Sequence, residues 1–387
     1  MVTGTVLTST LAPGCPQAAR NSGGIAGRTA GSVVGADGAD GADGALAHPA
    51  TAAAARTRTR TRTPIRFMSD WTQRARARFL VYSGARLAKE SDVILVTGAT
   101  GRVGYHLMEL LADAGAEATA MVRVEARGTD LPGTAGHLVA SLEDPPPASV
   151  LREFDRVFLL SPAEQEQAAL ETVFIDALVA AGHRPHVVKV VADGFADPGV
   201  EVRFVLSHRD VALHLEATGL PVTYLAPSLY METLLEAAGT IRDEGVIRAP
   251  AGRGRVGFVA ARDVAAVAAR VLTSPGHEDA TYVLTGPEAL SYADVAERVS
   301  EVFARQVDYE NQTASRARKA MLDSGLDRWA AEGRLELFEW IRQGGADTVT
   351  TAVREVTGDD PRPIEDWLEN ARAGFTGPPP DTPPPPF

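Results

Sequence analysis

The sequence predicts an α/β protein with a doubly wound parallel sheet, followed by a smaller, mostly helical lobe. Three observations carry that prediction. An apolar run of strand length, Val93 to Val96, leads through three glycines into a helix-period pattern. Short apolar runs then alternate with helical stretches as far as Leu225. Past about Ser228 the rhythm breaks, and the chain down to Ala373 reads as short strands and amphipathic helices carrying Trp329, Trp340 and Trp367. Alternating strands and helices imply parallel strands joined by right-handed crossovers. All strand C-termini then lie along one edge, where ligands of open α/β sheets bind.

In order, the expected strands are Val93–Val96, Ala116–Val122, Gly136–Ala140, Arg156–Leu160, His186–Val191 and Leu220–Leu225. The main helices between them follow Gly101 and span Ala163–Ala181 and Ser207–Thr218. In the second part, Gly245–Ile247, Val256–Val259 and Tyr282–Leu284 read as short strands, with helices over Val264–Leu272 and Ser291–Phe303. Asp263 is expected to cap the first of these helices. The loop Gly252-Arg253-Gly254-Arg255 reads as a flexible rim. The expected division is a leader over 1–90, a nucleotide-binding domain over 91–228, a substrate lobe with interleaved elements over 229–375 and a proline-rich tail over 376–387.

The two ends contribute little that can pack. Residues 1–66 contain GADGADGADGA and RTRTRTRT, low-complexity runs that cannot bury enough apolar surface to offset ordering entropy. They are read as disordered, or as an artefact of a translation start placed upstream of Met68; a targeting signal fits less well. Residues 377–387 hold seven prolines and should be extended. Charge follows the same division. The leader is net +4, leaving −16 of the chain's −12 total to the rest. So acidic a body argues against nucleic acid as a partner. With one cysteine, Cys15, neither a disulfide framework nor a cysteine-held metal is expected. No apolar run approaches the length of a membrane-spanning helix. A cytoplasmic monomer or homodimer acting on a small molecule is the expectation.

Gly98-Ala99-Thr100-Gly101-Arg102-Val103-Gly104 sits between a strand and a helix. In that context the glycines allow a tight turn and let the backbone approach a pyrophosphate, and the helix N-terminus offers free N–H groups to it. Arg123 ends the second strand, where a chain preferring NAD usually carries an acidic residue. Arg123, with Arg102 within reach of the same phosphate, therefore points to NADP(H); Glu125 is the residue able to reverse that preference.

The sequence resembles the NmrA-like atypical short-chain dehydrogenases/reductases, of the quinone-oxidoreductase-like kind. The resemblance rests on ILVTGATGRVG, Met121-Val122-Arg123, Phe158–Pro162, the block from His208 to Met231, Arg262-Asp263-Val264 and Tyr282–Pro287. It implies a Rossmann fold and a nicotinamide cofactor across the strand C-termini. Gly98, Thr100, Gly101, Arg102, Val103 and Gly104 would then hold the pyrophosphate and ribose, and Arg123 the 2′-phosphate. Leu160, Ser161 and Pro162 would line the adenosine-ribose side, Lys189 and Val190 would lie nearer the nicotinamide, and Pro227 to Met231 would cover it.

One departure bears on chemistry. The Tyr-x-x-x-Lys pair of familiar short-chain reductases is missing: the helix that should carry it has His208 and Ala212 in those places, and Asp193 follows the fifth strand where serine is common. Candidates for acid–base work are Lys189, in an apolar strand, His208, at a helix start, and Tyr230, in a loop facing the cleft. Asp193, Phe195, Tyr230, Met231 and Phe258 are the expected substrate-lining residues. No metal-ligand spacing occurs, and none is expected. The function implied is hydride transfer to a small conjugated or aromatic acceptor. A non-catalytic NADP(H) sensor and a redox-neutral epimerase or dehydratase stay open as alternatives.

Overall fold

Seven parallel strands form one sheet in the order β3-β2-β1-β4-β5-β6-β9. The computed structural model describes residues 92–129, 131–132 and 136–377; the leader and tail residues 378–387 lie outside them. The strands are β1 (Ile94–Val96), β2 (Ala118–Val122), β3 (Gly136–Val139), β4 (Arg156–Leu159), β5 (His186–Val190), β6 (Val222–Pro227) and β9 (Thr281–Leu284). Residues of β1, β5 and β6 are buried without alternation, because helices cover both faces.

On one face, α1 (Arg102–Asp113) and α6 (Ala261–Thr273) pack on Ile94, Val96, Phe158, Val188 and Val190. On the other, α3 (Gln167–Ala180) and α4 (Arg203–Thr218) cover Leu95, Leu159, Val187 and Tyr224. Between β3 and β4 the crossover is only the single turn α2 (Ala148–Leu151). The boundaries of the sheet's seven strands fall within two residues of those expected. The helices shift more: α3 begins at Gln167 because Pro162 and the turn after it delay helix entry, whereas α4 begins at Arg203. Arg203 is held there by Glu336, which accepts from its backbone N–H (3.0 Å) and its guanidinium (2.5 Å).

A third core belongs to the second part of the chain. It gathers a 3₁₀ segment (Met231–Ala237), α5 (Ala238–Glu244), β7 (Val246–Ala249), β8 (Arg255–Val256), β10 (Leu290–Ser291), α7 (Tyr292–Phe303) and β11 (Asp308–Asn311). Helices α8 (Ala314–Asp323), α9 (Arg328–Arg342), α10 (Ala352–Thr357) and α11 (Ile364–Thr376) follow. As expected, Trp367 is a core residue and Trp340 packs between this core and the α3/α4 layer.

Three local readings are corrected. The run Tyr282–Leu284 is no minor strand of the lobe; it is β9, paired in parallel with β6 along the main sheet. Asp263 does not cap α6: its carboxylate accepts from the Arg362 N–H (2.8 Å), while Glu232 reaches across from the 3₁₀ segment to accept from the Ala261 N–H (3.1 Å). The turn at Gly254 is not a loose rim, since a Cβ there would lie 2.2 Å from the Ile341 carbonyl oxygen.

Candidate functional site

The site grows from the junction of β1 and β4, where the strand order reverses. Thr97 closes that junction. Its hydroxyl donates to the Leu160 carbonyl (3.0 Å) and accepts from the Leu160 N–H (2.9 Å). Gly98 follows in the left-handed region, at φ +63°, and a Cβ there would stand 2.7 Å from the Leu160 oxygen. At Gly104 a Cβ would meet the Gly98 oxygen at 2.1 Å. Glycine is thus required at both ends of the loop by backbone, which cannot give way as a side chain can.

Helix α1 starts directly above, with Gly101 as its N-cap. No side chain caps this end, and its first turn carries no acidic residue. The N–H groups of the first turn and the positive end of the helix dipole are therefore directed at whatever lies on the loop, which suits a phosphate. Thr100 is exposed at the rim and Val103 anchors the turn in the core. The cradle thus fits a dinucleotide pyrophosphate.

The two arginines separate. Arg123 is exposed immediately after β2. Glu125, the residue able to oppose it, has its carboxylate 2.9 Å from His137 Nε2. Arg102, more buried, lies in the field of Glu232 and Glu236, with burial as the larger influence and lowering its pKa.

Beneath the β4 exit lies a buried polar cluster. Ser161 donates to Glu171 (2.6 Å) and Lys189 donates to the same oxygen (2.8 Å). Lys189 and Glu171 have no exposed side-chain surface. Gln167 approaches His208 at 3.5 Å. Burial drives His208 well below its ordinary pKa, with Lys189 adding to the effect. Burial also lowers the Lys189 pKa, against the pull of Glu171. These facts correct the expectation for Lys189 and His208. Lys189 faces the α3/α4 layer with Leu159 and Tyr224, its register partners on β4 and β6, and offers no surface to a ligand. Ser161 likewise turns its hydroxyl inward, leaving Leu160, half-buried, and Pro162, exposed, at the rim. The signal that was missed is Glu171, one of several carboxylates on the helix expected over Ala163–Ala181 and the one turned inward.

At the rim itself, β5 ends and Asp193 follows, its N–H donating to the Pro227 carbonyl (3.1 Å). The Asp193 side chain is half-buried, and burial pushes its pKa up to about 6. Tyr230 is half-buried across the β6 exit, where it bridges to Val259; burial raises its pKa too. Trp340 of α9 comes over Gly194, 3.3 Å from where a Cβ would stand. The other expected substrate residues are core instead: Phe195 packs on Tyr224, Met231 is 1% exposed, and Phe258 is 1% exposed, edge-on to Tyr292. An apolar residue beside a cleft and one beneath it look alike in sequence.

Next to Arg102, a cavity of about 510 Å³ opens between α1, α6 and α11, lined by His106, Glu232, Arg262, Arg362, Trp367 and Asn370 among others. Glu232 also accepts from Trp367 Nε1 (3.1 Å). Among the described residues no group of His, Cys, Asp and Glu could hold a metal ion, and no helix is long and apolar enough to cross a membrane.

Sheet order and glycine cradle define a Rossmann-type dinucleotide-binding fold. Within that class the chain belongs to the NmrA-like family, whose model matches residues 90–354. It is 33% identical to an NAD(P)H azoreductase of Xenophilus azovorans over 284 residues, 73% of this chain and 97% of that one. It is 35% identical to a (4-alkanoyl-5-oxo-2,5-dihydrofuran-3-yl)methyl phosphate reductase of Streptomyces griseus over 289 residues, 73% of this chain and 99% of that one. Among solved structures, an NADPH-dependent quinone oxidoreductase of Escherichia coli complexed with NADPH superposes with a TM-score of 0.66 at 23% identity, over 72% of this chain and 100% of that one. At that identity the likeness concerns the fold.

Proposed function

We propose that the protein is an NAD(P)H-dependent reductase of small, flat, conjugated acceptors, quinone-like or from secondary metabolism, with NADPH preferred over NADH. The observation that carries this reading is the glycine cradle, in which Gly98 and Gly104 leave no room for a Cβ beneath an uncapped helix N-terminus. Gly98, Thr100, Gly101, Val103 and Gly104 would hold the pyrophosphate, with Leu160 and Pro162 beside the ribose and Arg123 on the 2′-phosphate. When bound, the cofactor supplies hydride. The chain would contribute the surroundings: Asp193 follows β5 beside the Gly194–Trp340 contact and Tyr230 follows β6, half-buried and partly aromatic positions that suit a flat substrate. The names of the azoreductase and the phosphate reductase support reduction of a small molecule. We further place it in the cytoplasm as a monomer or homodimer, with no nucleic acid or membrane as partner.

The test is NADPH and NADH oxidation with a panel of quinones, enones and azo dyes. Acceptor-dependent turnover with NADPH favoured is expected. Tight NADPH binding without turnover on any acceptor would instead make the protein a sensor of the cofactor.

A further inference from the structure

We propose that Asp193 is the proton donor of this reduction, an inference that rests on the reductase reading above. Asp193 leaves the sheet at the C-terminal end of β5, beside the β4 exit at Leu160–Pro162 and hydrogen-bonded to the β6 exit at Pro227. The segment after it is rigidly built. Arg209 of α4 spends its guanidinium on three carbonyls there: Phe195 (2.8 Å), Asp197 (2.5 Å) and Val200 (3.1 Å). Gly194, at φ +82°, lies under Trp340. The backbone that carries the carboxyl is thus fixed at the ligand-binding edge of the sheet, next to the Gly194–Trp340 contact.

The ionisable groups around it leave the role to Asp193. Lys189, on the same strand, is sealed beneath the sheet and paired with Glu171. His208 of α4 is buried and held neutral. Arg209 is turned to the carbonyls, and Tyr230, three residues past the β6 exit at Pro227, holds its proton more tightly than a free tyrosine. The influences on the Asp193 carboxyl are burial, which favours the neutral acid, and the Gly194 N–H, which opposes it more weakly. The outcome, about 6, keeps a useful fraction protonated near neutrality.

The step balances. Hydride from NADPH forms a new bond at the electron-poor end of a conjugated C=C, C=O or N=N group, and the π pair moves to the far end of that group. The Asp193 O–H breaks and its proton takes up that pair. The acceptor has then gained two electrons and two hydrogens, NADP⁺ remains, and the Asp193 carboxylate recovers a proton from water.

The experiment is steady-state NADPH oxidation between pH 5 and 8.5 with a quinone and an enone, on wild type, Asp193→Asn and Asp193→Glu, each with NADPH binding followed by nicotinamide fluorescence. In wild type the rate should fall as pH rises through about 6, the direction for an acid that must be protonated. Asp193→Asn should lose roughly 10²-fold in kcat and the pH limb with it, while binding NADPH as wild type does. Asp193→Glu should retain a shifted limb. An Asn variant with the wild-type rate and profile overturns the proposal and leaves the reductase reading intact. Wild type that binds NADPH but reduces neither acceptor, nor any other in the panel, sinks both.

Discussion

Lys189 and Glu171 meet at 2.8 Å with neither side chain reaching solvent, and Ser161 binds the same carboxylate from the β4 exit. A charge left alone there has no water to turn to. Lys189→Met should therefore cost roughly 3–5 kcal/mol, whereas Lys189→Met with Glu171→Leu should recover most of that loss. Urea midpoints at pH 7.5 for the two singles and the double decide it; a double no better than the worse single would show that the pair is not the unit.

Gly104→Ala places a methyl group where the Gly98 carbonyl already stands. The loop must shift by about an ångström, so NADPH binding should weaken by ~10²-fold or more. Overall stability should fall less than binding does, because the displaced segment is a surface turn. Fluorescence titration beside thermal melting separates the two effects.

Arg123→Ser removes an exposed cation at the end of β2 that pairs with no carboxylate among the described residues. A charge-assisted contact is worth about 1.5–3 kcal/mol, so NADPH should lose about 10- to 100-fold in kcat/KM while NADH changes little. Raising the ionic strength should erode the wild-type preference in the same direction.

Acid should unfold this protein partly through a histidine. His186 is buried against Thr223, and burial lowers its pKa to about 4 from an ordinary value near 6.5. A group held neutral in this way contributes fully above its unfolded value. That contribution is lost as pH falls from 6.5 towards 4, at roughly 1.4 kcal/mol per unit. His186→Gln, which can keep a hydrogen bond to Thr223, should flatten that part of the stability curve. An unchanged slope between pH 6.5 and 4.5 would assign the loss to other groups.

The sheet was legible because strands buried on both faces leave unbroken apolar runs, as at Val93-Ile94-Leu95-Val96. The glycine loop was legible because strand, glycines and helix occur in the one order that gives them a purpose. Depth was not. Met231 and Phe258 carry the composition of a cleft wall but lie in the lobe's core. Lys189 read as a functional lysine because its partner, Glu171, stands 18 residues earlier on another element. Asp193 follows β5 as the sequence suggests, but the burial that raises its pKa comes from surroundings the sequence does not display.

The seventh strand bears on how the chain folds. β6 and β9 pair directly, from Tyr224↔Thr281 to Pro227↔Leu284, yet more than fifty residues of lobe separate them. Until that excursion has been synthesised and folded back, β6 is an edge with all six residues of a buried strand and a row of unpaired backbone groups. Such an edge templates aggregation, and closing so long a loop is slow. Chains cut short before Thr281 should therefore be sticky rather than merely inactive, and full-length chains should be most vulnerable in the interval before β9 seals the sheet.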